Sequence, residues 1–138
     1  MYISKAMDKE FDIVFTRLKE ILQKYSGPFT IKPDTGTQYG LYAPIGPATL
    51  KLWGGKMKKP IMPVAWIETG KAYVSYHLMG LYGNTKLLEG MSKDLKTRMQ
   101  GKTCFNFKKP DEKLFLELES LTVRSIETFR KGGFIASL

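Results

Sequence analysis

Residues 63–79, PVAWIETGKAYVSYHLM, contain two runs of branched and aromatic residues separated by the turn-forming pair Thr69 and Gly70. Such residues favour β-strands, and a short polar connection joins strands into antiparallel pairs because parallel pairing needs a long crossover. Similar short runs begin at Phe29, separated by PDTG, PIGP and GGKMKK, and one more, KTCFNFK, follows at residues 102–108. The centre of the chain is therefore predicted to be an antiparallel meander.

Amphipathic helices are predicted on both sides of this sheet. In residues 11–25 apolar side chains recur at the spacing of one helix face, and Gly27 and Pro28 end the pattern. A second long helix is predicted to open at Pro110, with acidic residues in its first turn, and to end at Gly132 and Gly133. Its predicted buried stripe is Leu114, Phe115, Leu118, Leu121, Thr122, Ser125, Ile126 and Phe129.

A weaker helical pattern lies between the sheet and the last strand. It is interrupted at Gly90, restarts after Ser92 as a predicted N-cap, and ends at Gly101. The whole pattern predicts one domain, residues 1–138, with a two-layer α+β fold. In this fold an antiparallel sheet carries the N-terminal and C-terminal helices on one face.

Composition limits the classes of protein. With 138 residues, 43% of them hydrophobic, the chain is long enough to bury a core without disulfides. Cys104 is the only cysteine, which fits a reducing compartment. The charged N-terminal residues lack a signal-peptide pattern, and no stretch approaches the length of a membrane helix. A cytoplasmic protein without a membrane segment is expected.

The charge of the chain favours anionic partners. Lysine and arginine total 22 against 13 acidic residues, a formal net charge of +9. Such an excess raises the encounter rate with nucleic acids, anionic metabolites and acidic protein surfaces, but it defines no site.

Strand alternation divides the predicted sheet into an inner face and an outer face. The predicted inward residues are Ala48, Leu50, Leu52, Ala72, Val74, Tyr76, Leu78, Thr103, Phe105 and Phe107. The outward residues form the predicted ligand-binding set, which consists of Lys51, Trp53, Tyr73, Ser75, His77, Lys102, Cys104 and Asn106. A face with aromatic rings and lysines can stack a planar anionic ligand or an exposed nucleobase.

Two other interpretations of this face stay open. Residues 80–101 or a second copy of the chain would cover it in the first, leaving His77 as a structural residue. In the second, His77 acts as a base toward a Cys104 nucleophile. No catalytic residue or cofactor is assigned, because the chain contains neither a GxxxxGK[ST] nor a GxGxxG motif.

The chain resembles the small bacterial YdhG-like family of unknown function, grouped by fold with YjbR-like and frataxin-like (CyaY-like) proteins. The resemblance extends over residues 11–134 and rests on four stretches, which are FDIVFTRLKEIL, PVAWIETGKAYVSYHLMGLYG, SKDLKTRMQGKTCFNFKKPDE and the closing helix through GGF. It implies the α+β fold. Because some members of the superfamily are described as iron chaperones, it also implies an alternative function in iron delivery.

The acidic residues of the opening helix are few for an iron chaperone of the frataxin type. Hard iron ions prefer oxygen ligands, and this helix offers Asp8, Glu10, Asp12 and Glu20 among basic residues. No metal ligand is therefore assigned.

The leading hypothesis is a non-enzymatic binding protein that uses the outer sheet face. Its predicted partner is an anionic small molecule or an acidic protein surface. Nucleic acid is a further candidate without sequence specificity, since the chain lacks the pattern of an RNA-recognition sheet. An uncovered apolar part of the face would favour a homodimer.

Overall fold

The computed structural model describes residues 5–43 and 62–133. Within these residues an antiparallel sheet packs against two long helices, Lys5–Lys24 and Glu112–Lys131. The strands of this sheet are β1 (Thr30–Asp34), β2 (Gln38–Ala43), β3 (Met62–Thr69), β4 (Val74–Leu78), β5 (Met99–Gln100) and β6 (Cys104–Phe107). Their order across the sheet is β1-β2-β3-β4-β6-β5. The predicted two-layer α+β fold is confirmed.

The inner face of the sheet forms one wall of the core. Ile67 pairs with Tyr76, and Tyr76 pairs with Phe105, so these side chains lie side by side. Each of the inner residues is almost fully buried, as strand alternation with one apolar face requires. They are Tyr39, Leu41, Ala65, Ile67, Val74, Tyr76, Leu78, Phe105 and Phe107.

Both long helices pack on this inner face. The N-terminal helix contacts β3 and β4. The C-terminal helix joins the sheet through a hydrogen bond between the hydroxyls of Tyr76 and Thr122, and through an edge-on contact between the rings of Phe107 and Phe115. The predicted stripe of eight residues in the C-terminal helix is buried throughout. The outer face of the sheet is thus left on the side away from the helices.

The ends of the helices follow local capping chemistry. The Ser92 hydroxyl accepts a hydrogen bond from the Leu95 amide at the start of a short helix, Lys93–Lys96, and the predicted N-cap is confirmed. In the last helix the Asp111 carboxylate accepts from the Leu114 amide. The helix begins at Glu112 and not at the predicted Pro110. Asp111, predicted to lie in the first turn, is instead the N-cap, because its side chain satisfies an amide that the helix leaves unpaired.

Two local predictions are wrong. Met99 and Gln100, expected in a helix, pair with β6 as the edge strand β5, because the turn at Gly101, with φ +78°, folds them back onto Cys104 and Phe105. Ala72, expected in the core, lies exposed in the turn before β4. The predictions for residues 48–53, including Lys51 and Trp53, lie outside the described residues.

The segment that follows β4 packs on the C-terminal helix. It comprises a helical turn at Gly80–Gly83, a 3-10 turn at Thr85–Leu88 and the short helix Lys93–Lys96, and all three contact the C-terminal helix. The Glu117 carboxylate anchors it by accepting from both the amide and the hydroxyl of Ser92, at 2.7 and 2.6 Å. None of the helices that the structure describes has the length and apolarity needed to cross a membrane.

Candidate functional site

The outer face of the sheet carries two rows of side chains that run across the strands. Strand register puts Gln38, Glu68, Ser75 and Asn106 in the first row. It puts Gly40, Trp66, His77, Cys104 and Gln100 in the second row. Side chains in register on neighbouring strands lie close enough to touch, so each row is a continuous line of contacts. These two rows are the candidate site.

The central contact of the second row is an aromatic stack. The indole of Trp66 and the imidazole of His77 have ring centroids 4.4 Å apart and planes inclined by 11°. Both side chains are half-buried, and they stand on the side of the sheet that carries no helix among residues 5–43 and 62–133. Among the described residues, the tryptophan that stacks on His77 is therefore Trp66.

Sequence reasoning missed Trp66 and chose Trp53. Alternation from the buried pair Ala65 and Ile67 would have put Trp66 outward. The neighbouring Val64 is also buried, however, so the run around Trp66 does not show a clean two-residue period.

Beside this stack, Cys104 belongs to a chain of polar contacts. Its thiol donates to Asn106 Oδ1 at 3.2 Å, and the Asn106 amide donates to Gln100 Oε1 at 2.8 Å. The Tyr73 hydroxyl donates to the same Gln100 oxygen at 3.2 Å. Of the predicted binding residues, the structure thus brings together Tyr73, Ser75, His77, Cys104 and Asn106.

The lysines of the predicted set do not belong to these rows. Lys102 is exposed in the turn between β5 and β6, next to Cys104 at the rim of the face. Lys51 lies outside the described residues. Glu68 is the charged side chain within the two rows, and no lysine or arginine of the described residues belongs to them.

The pair formed by Cys104 and His77 favours its neutral form. Cys104 Sγ lies 3.8 Å from His77 Nε2, so the structure brings the two groups within reach. Burial raises the pKa of the Cys104 thiol, a change that a hydrogen bond with Ser75 partly offsets. Burial also lowers the pKa of His77, against the opposing charge of Glu68. A thiolate and imidazolium pair, which a cysteine nucleophile needs, is disfavoured by both shifts.

A pocket of about 410 Å³ opens next to the stack, on the side of β1 and β2. Trp66 forms part of its lining, and Glu68 is the charged residue among those that line it. The lining residues are Pro33, Gln38, Tyr39, Tyr42, Pro63, Trp66, Ile67 and Glu68. The Gln38 amide donates to Glu68 Oε1 at 2.9 Å along one edge of the pocket. The pocket is an open depression in which aromatic and proline side chains stand beside the polar groups of Gln38 and Glu68.

Gly40 is the residue that lets β1 approach β2 closely next to Trp66. It faces Trp66 across β2 and β3, and a Cβ at this position would lie 2.6 Å from the Lys32 carbonyl oxygen. A larger residue would therefore force β1 away from β2. The Lys32 carbonyl therefore fills the space beside Trp66 Cβ where a side chain at position 40 would lie.

No match is found. Comparisons of the chain with protein-family models, with curated proteins and with solved structures all gave this result. The resemblance to YdhG-like proteins stays a prediction, and the function has to be argued from the two rows and the pocket.

In residues 5–43 and 62–133, no three His, Cys, Asp or Glu side chains stand close enough to hold a metal ion. The iron-chaperone alternative therefore has no geometric observation in its favour among these residues, and it stays a prediction that iron titration can test.

His77 should make the stability of the protein depend on pH between about 7 and 5. Its pKa is lowered in the folded state, so the unfolded chain takes up a proton first as the pH falls below its ordinary value near 6.5. The unfolded state then binds more protons, and the free energy of unfolding decreases with decreasing pH. We expect His77→Gln to flatten this dependence in urea denaturation at pH 7, 6 and 5. If the free energy of unfolding changes equally with pH in the wild-type protein and in His77→Gln, His77 is not the group responsible.

Proposed function

We propose that the protein is a non-enzymatic binding domain that receives the planar ring of an anionic ligand, of the nucleotide class, beside Trp66. The observation that carries the proposal is the stack of Trp66 on His77 at the edge of the pocket. The imidazole holds one side of the indole, and the pocket borders Trp66 on the side of β1 and β2. A tryptophan fixed in this way can stack a ring without first being ordered, which lowers the cost of binding.

The charge of the ligand is inferred from the charge of the chain. The net charge of +9 attracts anions over distances set by the Debye length. The pocket itself has a carboxylate and aromatic lining, so the phosphate of a bound nucleotide would lie toward the rim while its ring enters the pocket. This division of roles accounts for a basic protein whose stacking surface is not itself basic.

The neutral state of the Cys104 and His77 pair supports a binding role over a catalytic one. A protonated thiol hydrogen-bonded to Asn106, beside an imidazole that stacks on an indole, holds the second row in place. In this proposal both residues position Trp66 and take no part in a reaction.

Calorimetric titration with nucleoside monophosphates tests the proposal. Trp66→Ala should weaken binding at least about fivefold, because stacking of a base on an aromatic side chain contributes roughly 1–3 kcal/mol. Leu116→Ala is the matched control, since Leu116 is 68% exposed on the C-terminal helix, away from the outer face of the sheet. Affinity should also fall between low and high salt.

Two results would count against the proposal. If no nucleotide binds the wild-type protein at millimolar concentration, the ligand class is wrong, and an acidic protein surface becomes the partner to test. If Trp66→Ala leaves binding unchanged, the ligand binds outside the two rows.

A further inference from the structure

We propose that the pocket selects guanine, through the carboxylate of Glu68 and the amide of Gln38. This inference rests on the proposed function and names the base that the same site takes. It starts from the position of Glu68 on β3. Glu68 and Trp66 are two residues apart on one strand, so both side chains stand on the outer face, about 7 Å apart along it. A base stacked on Trp66 can therefore turn one edge toward Glu68.

The hydrogen bond between Gln38 and Glu68 decides which groups this edge of the pocket presents. An ionised carboxylate only accepts hydrogen bonds, so the Gln38 side chain must turn its NH₂ group toward Glu68 Oε1. The side-chain carbonyl oxygen of Gln38 is then a further acceptor near the carboxylate. Among the described residues no donor is seen on Glu68 Oε2. The edge thus offers mainly acceptors and is complementary to a ligand edge made of N–H donors.

Guanine has such an edge among the common bases. Its N1–H and its 2-amino group are adjacent donors in one plane, which a carboxylate can accept together. Adenine and cytosine present an acceptor beside their amino group, and uracil presents one N–H between two carbonyl oxygens. Each of these would bring a lone pair against Glu68. Proteins that take a base out of a stack read it in this manner, by stacking its ring and hydrogen-bonding its Watson–Crick edge.

A guanidinium group also presents paired N–H donors, but it is a cation. The net charge of +9 disfavours its approach and favours that of a phosphate-bearing ligand. The occupant we infer is therefore the guanine base of a nucleotide.

Titration of the full chain with guanosine, inosine and adenosine monophosphates tests the inference. Inosine monophosphate differs from the guanosine compound only by lacking the 2-amino group, so it removes one donor and nothing else. We expect guanosine monophosphate to bind about tenfold more tightly than either of the others. Glu68→Gln should abolish this preference, weakening guanosine monophosphate and strengthening adenosine monophosphate, because the new side-chain amide can donate to the adenine lone pair that the carboxylate repels. Glu89→Gln, at another exposed carboxylate, is the control for the change of net charge.

The outcomes separate the inference from the proposed function. Equal affinity for the three nucleotides, lost in Trp66→Ala, would overturn the selection of guanine and leave the binding function standing. Absence of binding by all three would overturn both. Binding of N-acetylarginine amide in place of guanosine monophosphate would overturn the inference in favour of a guanidinium. A guanine-containing single-stranded oligonucleotide whose binding is weakened by Glu68→Gln supports the inference and identifies the source of the base.

Discussion

Gly80→Ala is expected to destabilise the protein by roughly 1–3 kcal/mol, the usual cost of forcing additional atoms into a packed core. Gly80 begins the helical turn after β4 and is buried against the C-terminal helix. A Cβ at this position would overlap Ser125 Oγ and would lie 2.7 Å from the Ser125 carbonyl oxygen. Because the carbonyl belongs to the helix backbone, it cannot move aside alone. The expected result is a lower urea midpoint with an unchanged slope.

Two further variants show whether the close approach is the cause. Gly36→Ala is the matched control, since a Cβ there would meet no atom within 4 Å, and its effect should stay within about 0.5 kcal/mol. Adding Ser125→Ala to Gly80→Ala removes the hydroxyl but not the carbonyl contact, so it should restore only part of the loss. Wild-type stability for Gly80→Ala would mean that the segment after β4 does not pack as described.

Thr122→Val is expected to cost about 1–3 kcal/mol, more than Tyr76→Phe in the same buried hydrogen bond. The Thr122 hydroxyl donates to the Leu118 carbonyl at 2.7 Å, so the Tyr76 hydroxyl must donate to Thr122 Oγ1, at 2.6 Å. Burial raises the pKa of Tyr76 well above its ordinary value, and the phenol keeps its proton. Valine removes the acceptor and leaves the phenol hydroxyl buried without a partner.

Removing the donor of this hydrogen bond should cost less than removing its acceptor. In Tyr76→Phe, Thr122 keeps its bond to Leu118, and the loss should be about 1 kcal/mol. The double variant should lose less than the sum of the two single losses, because both remove one interaction. Urea denaturation of the four proteins measures the coupling. Equal losses for the two single variants would show that the donor assignment is wrong.

Alternation of apolar residues was sufficient to predict the inner face and hence the outward direction of Ser75, His77, Cys104 and Asn106. A register slip of one residue would have turned all of them into the core, and the burial of Val74, Tyr76 and Phe105 excludes it. The eight-residue stripe of the C-terminal helix was predicted for the same reason, since a helix with one apolar face has one way to pack.

The partners across the strands could not be predicted. The pairing of β3 with β4 decides which residue lies opposite His77. The place of Gln100 in the second row depends on β6 lying between β4 and β5. Neither follows from a period within one strand. Gln38 and Glu68 are 30 positions apart in the chain, and no local sequence pattern predicts that their side chains form a hydrogen bond.

The two edges of the sheet make poor templates for a further strand. An open edge exposes unpaired amide and carbonyl groups that can nucleate aggregation. At one end, β1 has a register shift between Ile31 and Asp34, and it contains a charged Lys32 beside Pro33, which has no N–H to donate. At the other end, β5 is only two residues long. The folded chain should therefore resist amyloid-like polymerisation even when concentrated, and two copies that associate would have to meet through their faces.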